Sequence, residues 1–144
     1  MWSDQVLAFE RGHLQRLLLW GVISIGTGLG CWVYLRIKRL ELPLLQHFAI
    51  QTGAWGAIDA LLALASRPHL ALRDYDSMTR LDRFLWLNCG LDAGYIAVGV
   101  TLAVCGWRLA RSRGLVGAGI GVVTQGAALL LLDLRLAALL TEAR

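Results

Sequence analysis

Residues 115–139 read LVGAGIGVVTQGAALLLLDLRLAAL. A membrane helix needs about 20 mostly apolar residues, because each residue rises about 1.5 Å and the hydrocarbon core is roughly 30 Å thick. Asp133 and Arg135 are the only charged residues of the stretch. It therefore lacks the charged stripe of a helix at the surface of a soluble bundle, and it predicts a membrane span.

Three more apolar runs of similar length precede this one, at about residues 14–35, 44–65 and 84–107. The connections at 36–42 and 108–113 are short, so the helices that they join are expected to be antiparallel neighbours. The sequence thus predicts an all-α membrane protein, with four transmembrane helices in an up-down bundle and residues 1–144 as one transmembrane domain.

The middle connection, residues 66–83, is longer and reads SRPHLALRDYDSMTRLDR. Its second half either extends the third helix, with Asp76 or Ser77 as the N-cap, or lies in the membrane interface. Tryptophan is enriched at membrane interfaces, and Trp20 is expected at one of them. Trp55, in the middle of its span, is expected to pack in the core.

The composition fits a membrane protein: 57% of the residues are hydrophobic and 17% are charged, against about 25% charged in a typical globular chain. This excludes a disordered chain and a large soluble enzyme. The formal net charge of +4 comes from basic residues at the ends of the apolar runs. Such residues meet anionic lipid headgroups, so we expect membrane lipids as partners and no nucleic acid.

No motif in the sequence names a cofactor or a reaction. The three cysteines, Cys31, Cys89 and Cys105, form no CxxC pair, and no histidine has metal-ligand spacing to them. No two histidines within the spans are placed to hold a haem between them, which argues against a bis-histidine cytochrome. We therefore predict no metal site and no catalytic residue, leave the cofactor unassigned and do not expect an enzyme.

An offset of 74 residues aligns the two halves of the chain. It matches Gln51 with Gln125 and Asp59 with Asp133, each in an even-numbered helix. Each half holds two spans, so a duplication would give two parallel two-helix repeats. Small residues four apart predict the helix contact faces, and three such pairs are Gly26/Gly30, Gly90/Gly94 and Gly117/Gly121.

Polar residues within the spans follow single helix faces, which are expected to point into the bundle. These candidate pocket residues are Gln51 and Asp59 in the second helix, Asn88, Asp92 and Tyr95 in the third, and Gln125 and Asp133 in the fourth. By their depth, the three carboxylates all lie in the half of the membrane next to the middle connection. Arg16 and His13, at the start of the first helix, are candidate charge partners on that side.

Two interpretations of these residues stay open. They hydrogen-bond across helices and fix the packing, or they form a protonatable or ligand-binding pocket that opens toward the middle connection. Three ionised carboxylates in one dry pocket repel each other, so protons, a cation or an arginine must compensate.

The segment RFLWLNCGLDAGYIAVGVTL at 83–102, followed by GAGIGVVTQGAALLLLDL at 117–134, resembles an uncharacterised family of small bacterial four-helix integral membrane proteins, a domain of unknown function. QHFAIQTGAWGAIDALLAL at 46–64 also fits. The resemblance implies the four-helix architecture and a role for the polar positions Asn88, Asp92, Tyr95, Gln125 and Asp133. It implies no activity.

Three classes of function stay open. The small size and the absence of a catalytic motif favour an accessory or structural subunit of a larger respiratory or photosynthetic membrane complex, bound to other subunits. The alternative is a proton- or cation-coupled small-molecule carrier, which uses the in-span carboxylates and works as a homo-oligomer. The third is a small membrane enzyme that acts on a lipid- or quinone-like substrate.

The expected location is the bacterial inner membrane, with several passes. Basic residues are dense in the two tight connections, which favours a cytoplasmic position for these loops and an external one for both termini.

Overall fold

The computed structural model describes residues 2–143. Its four long helices are α1 (Trp2–Ile37), α2 (Pro43–Ser66), α3 (Tyr75–Arg108) and α4 (Arg113–Glu142), and a short 3-10 turn, Arg67–His69, follows α2. All four are long and apolar enough to cross a membrane. The predicted all-α, four-span architecture is confirmed.

Two helices extend well beyond their apolar runs. α1 already begins at Trp2 and α3 at Tyr75, so the second half of the middle connection is helical. The N-cap of α3 is Asp74, whose carboxylate accepts a hydrogen bond from the Ser77 amide at 2.8 Å. The expectation of Asp76 or Ser77 at this position was wrong, because both belong to the first turn and only Asp74 has the extended backbone of a cap.

Each tight connection turns on an arginine with left-handed backbone: Arg39, with φ of 52°, and Arg111, with φ of 48°. The Leu40 amide then donates to Leu35 O at 3.0 Å, and the Ser112 amide donates to Gly106 O at 2.9 Å. These bonds occupy carbonyls that the helix ends would leave unpaired. Both turns fold α1 onto α2 and α3 onto α4 as antiparallel hairpins, as predicted.

Glycines bring the helix backbones together within each hairpin. A Cβ added to Gly28 of α1 would lie 2.5 Å from Ala49 O of α2, and one added to Gly119 of α4 would lie 2.5 Å from Gly99 O of α3. The two hairpins join mainly through α2 and α4, where Gly117 and Gly121 pack on Leu44 and Gln51 as expected.

The other two predicted contact pairs were wrong. Gly26/Gly30 of α1 and Gly90/Gly94 of α3 have open space where a Cβ would be. The α1 face that meets α2 contains Gly21 and Gly28 instead, which are two helical turns apart. Spacing alone does not distinguish two glycine stripes of one helix that face in different directions.

The two hairpins are related by a shorter offset than the sequence match of 74. α1 ends at Ile37 and α3 at Arg108, 71 residues later, and the left-handed arginines Arg39 and Arg111 are 72 apart. Gln51 accordingly packs on Gly121, 70 residues later. Gln125 and Asp133 therefore lie about one helical turn farther from the tight turns than Gln51 and Asp59.

A buried apolar cluster closes the opposite end of the bundle, near the middle connection. It consists of Val6, Met78, Leu85, Leu136, Ala137 and Leu140, with Trp2, Phe9 and Leu81 packed against it. The N-terminal extension of α1 and the early turns of α3 thus meet the end of α4. Between this cluster and the glycine contacts, the helices separate.

A candidate ligand cavity between α2 and α3

A cavity of about 540 Å³ lies in the half of the bundle next to the middle connection, and all four helices contribute to its wall. Within residues 2–143, the consecutive helices α2 and α3 are not among the closely packed pairs. Pockets of roughly 300–1,000 Å³ with mostly apolar walls are typical of small-molecule sites. The cavity therefore has the size and lining of a ligand site.

Three carboxylates line this cavity: Asp59 from α2, Asp92 from α3 and Asp133 from α4. They are 1%, 5% and 8% exposed. The Oδ2 atoms of Asp59 and Asp92 are buried and have no hydrogen-bond partner. A buried carboxylate oxygen without a partner is costly, so these two groups are arranged to receive a proton, a cation or a hydrogen-bond donor.

Asn88 and Tyr95 line the cavity about one turn to either side of Asp92. The Tyr95 ring meets the ring of Trp55 of α2 edge to face, with the centroids 5.1 Å apart. This aromatic pair bridges α2 and α3 where their backbones are apart. Trp55 is half-buried at the cavity wall, rather than in a closed core as expected.

His13 is the charge partner that reaches a carboxylate. Its Nε2 lies 3.4 Å from Oδ1 of Asp133, and its Nδ1 is buried without a hydrogen-bond partner. Arg16, the other candidate, is not part of the cavity wall. Its guanidinium lies instead beside Gly12 on its own helix, 3.4 Å from where a Cβ of that glycine would be.

An ion pair that the sequence analysis missed lies at the end of the cavity nearest the middle connection. Arg73 donates from Nε to Glu10 Oε1 and from Nη2 to Glu10 Oε2, the second at 2.8 Å. The hydrogen bond from Glu10 raises the pKa of Arg73 above its ordinary value. Glu10 lies one helical turn before His13 and Leu14, so extending the predicted first span backwards would have placed it on the same face.

Gln125 belongs to a separate polar cluster. Trp20 Nε1 donates to its Oε1 at 2.7 Å, and its Nε2 donates to Ser24 Oγ at 3.1 Å and to Thr52 O at 3.4 Å. These bonds join α1, α2 and α4 on the tight-turn side of the cavity. Trp20 therefore hydrogen-bonds inward, whereas an interfacial position was expected. Gln51 is not part of the cavity wall either.

Comparison with known families places this architecture. The model of DUF6992, a family of unknown function, matches residues 16–134. The chain belongs to this family. No curated protein and no solved structure matches it. The recognition of an uncharacterised family is thus confirmed, together with the four long apolar helices that identify a multi-pass membrane protein.

The part matched to DUF6992 contains all three cavity carboxylates, whereas Glu10 and His13 precede it. In this DUF6992 member, the cavity offers two kinds of surface side by side. One is the group of buried carboxylates beside an aromatic pair. The other is a wall of leucine, isoleucine and phenylalanine side chains. Such a site can hold a molecule with one polar end and one apolar end, and it can exchange protons with it.

Proposed function

We propose that the protein is a small-molecule carrier of the cell inner membrane, coupled to protons or to a cation through the carboxylates of the cavity. The observation that carries the proposal is the pair of buried, unpartnered oxygens, Oδ2 of Asp59 and Oδ2 of Asp92, within one cavity. Carboxylates that serve only to fix helix packing have their hydrogen bonds satisfied within the protein. Intramembrane carboxylates that can gain and lose a proton are typical of pumps and transporters.

The division into two hairpins supports the same proposal. α1 packs on α2 and α3 on α4, whereas α2 and α3 are apart around the cavity. A carrier must expose its site alternately to the two sides, commonly by movement of one repeat against another. In this proposal, the two hairpins are the moving bodies. The density of arginines in the tight turns favours a cytoplasmic location for them, so the cavity lies in the outer half of the membrane.

Dicyclohexylcarbodiimide tests this function without knowledge of the substrate, because it modifies protonated carboxyl groups in apolar surroundings. Purified protein in a mild detergent is treated with the reagent across a pH series and mapped by peptide mass spectrometry. We expect an adduct on Asp59 or Asp92 that declines as the pH rises, and no adduct in the Asp59→Asn/Asp92→Asn double variant. The exposed carboxylate Asp76 is the internal control. Absence of cavity adducts at every pH, or equal labelling of Asp76, would overturn the proposal.

A second candidate, a subunit of a larger membrane complex or homo-oligomer, is favoured by one separate observation. The faces of Gly26/Gly30 and Gly90/Gly94 are open on the outside of the bundle, and small residues permit close approach of another membrane helix. Native mass spectrometry after purification in mild detergent tests it. Bound subunits that are lost in a Gly90→Leu/Gly94→Leu variant would support it, and a monomer without bound protein would exclude it.

A further inference from the structure

We propose that the ligand of the cavity is an amphipathic organic cation. Its positive head lies between Asp59 and Asp92 beside the aromatic pair, and its apolar part lies along the wall that leads to the gap between α2 and α3. This inference rests on the proposed carrier function and names the substrate class of the same site.

The charges around the cavity leave two carboxylates without a counter-charge. The titratable side chains in its wall are Glu10 and His13 of α1, Asp59 of α2, His69 and Arg73 of the connection, Asp92 and Tyr95 of α3, and Asp133 of α4. Arg73 is engaged by both oxygens of Glu10, His13 faces Asp133, and His69 is exposed. Asp59 and Asp92 remain, and a single positive group between them would supply the missing partner.

The aromatic pair favours an organic cation over a metal ion. Trp55 and Tyr95 line the same cavity as the two free carboxylates, and a cation over the face of Trp or Tyr gains about 0.5–2 kcal/mol from the ring. A metal ion instead needs a shell of oxygen ligands. Within the part of the chain that the structure describes, no three His, Cys, Asp or Glu side chains are grouped to hold one.

The cavity is reached from the side of the bundle. Ile58 and Leu62 of α2 and Phe84 and Leu91 of α3 line it, yet they are 44%, 56%, 59% and 51% exposed at the outer surface. In a membrane this surface meets acyl chains, into which amphipathic molecules partition. An anionic ligand would meet repulsion from Asp59 and Asp92, and a neutral one would leave them unpaired. The cationic class therefore fits both the entrance and the interior.

Tetraphenylphosphonium and tetraphenylborate form a matched pair of probes with the same shape and opposite charge. Binding of each to the purified protein in a non-ionic detergent is measured by titration calorimetry. We expect saturable binding of the cation, none of the anion, and weaker cation binding as the pH falls, because protons compete for the carboxylates. Asp59→Asn and Asp92→Asn should each weaken cation binding by roughly tenfold or more. Asp76→Asn, on the exposed first turn of α3, should leave it unchanged.

A second measurement needs no variant. Tetraphenylphosphonium should slow the reaction of dicyclohexylcarbodiimide with the cavity carboxylates of the native protein, and tetraphenylborate should not. Equal binding of both probes, or undiminished cation binding in both aspartate variants, would overturn the cationic class. A protein whose cavity carboxylates react with the carbodiimide but that does not bind the cation would overturn this inference and leave the carrier proposal intact. A protein that does neither would overturn both.

Discussion

The two halves of the bundle differ in how the helices meet. Next to the tight turns, backbones touch at glycines such as Gly28 and Gly119, and the buried polar residue Gln125 is fully engaged in hydrogen bonds. Next to the middle connection, the helices separate around the cavity, and Asp59 and Asp92 each keep an oxygen without a partner. One half is closed by small residues and satisfied polar groups. The other spends stability to keep a polar site open.

This difference separates two uses of polar residues within one small membrane protein. Gln125 links three helices, whereas Asp59 and Asp92 link none through the unpartnered oxygens. Removal of a linking group is expected to destabilise the fold, and removal of an unpaired buried carboxylate is not. Stability measurements on matched variants of the two halves therefore test the distinction directly.

The largest effect is expected at the glycine contacts. A Cβ on Gly28 would lie 2.5 Å from Ala49 O and 2.6 Å from the Gly53 amide, and backbone atoms cannot yield as a flexible side chain does. Gly28→Ala should lower the free energy of unfolding by about 2–3 kcal/mol. Gly26→Ala, two residues away with open space around it, should raise this free energy by about 0.5 kcal/mol through helix propensity. Unfolding by detergent titration gives both values, and equal effects would refute the assigned α1–α2 face.

The next effect is expected at the polar cluster of the same half. Gln125→Leu leaves Trp20 Nε1 and Ser24 Oγ without their partner, which should cost about 1–2 kcal/mol of unfolding free energy. Gln51→Leu is the matched control, because Gln51 contacts Gly121 through its aliphatic atoms. If Gln51→Leu is as destabilising as Gln125→Leu, the tight-turn half does not depend on this cluster.

The sequence was sufficient for the spans and for the three carboxylates, because hydrophobic length and helical periodicity are local signals. Asp59, Asp92 and Asp133 could be assigned to one side of the membrane from their positions along the spans. The contacts between helices were harder to predict, since they depend on how each helix is rotated. Periodicity did not distinguish Gly26 from Gly28 or foresee that Trp20 bonds Gln125. The Glu10–Arg73 pair joins residues 63 apart, both outside the apolar runs.

In the cavity half, Asp92→Asn should act in the opposite sense. The Oδ2 atom of Asp92 has no partner to lose, and an ionised carboxylate within a membrane is costly. We expect the variant to unfold at the same temperature as the native protein or at a slightly higher one, while it no longer binds tetraphenylphosphonium. Thermal unfolding followed by tryptophan fluorescence provides the stability measurement. A clear loss of stability would assign Asp92 to packing rather than to a ligand.

A smaller effect is expected from the ion pair at the end of the cavity. Glu10 and Arg73 form two parallel hydrogen bonds, with side chains 8% and 25% exposed. A double-mutant cycle of Glu10→Gln and Arg73→Gln should give a coupling energy of about 1 kcal/mol, since partial exposure screens the charges. The coupling should decrease at high salt. A coupling near zero would show that the connection is held over the cavity by apolar contacts alone.

The smallest effect concerns the start of α3, whose first turns lead into the cavity wall at Leu81 and Phe84. The pKa of the Asp74 carboxyl is lowered, because the hydroxyl and the amide of Ser77 both donate to it. A lowered pKa in the folded state means that the cap contributes stability above the ordinary aspartate value of 3.8 and loses it as the pH falls through the lower folded value. Hydrogen exchange at the Ser77 amide should therefore become faster in acid. Asp74→Asn keeps an acceptor without a titrating charge, so it should remove the pH dependence and retain most of the protection. Asp74→Ala should lose protection at every pH, and if its exchange matched that of the native protein, the cap would not hold the first turn of the cavity wall.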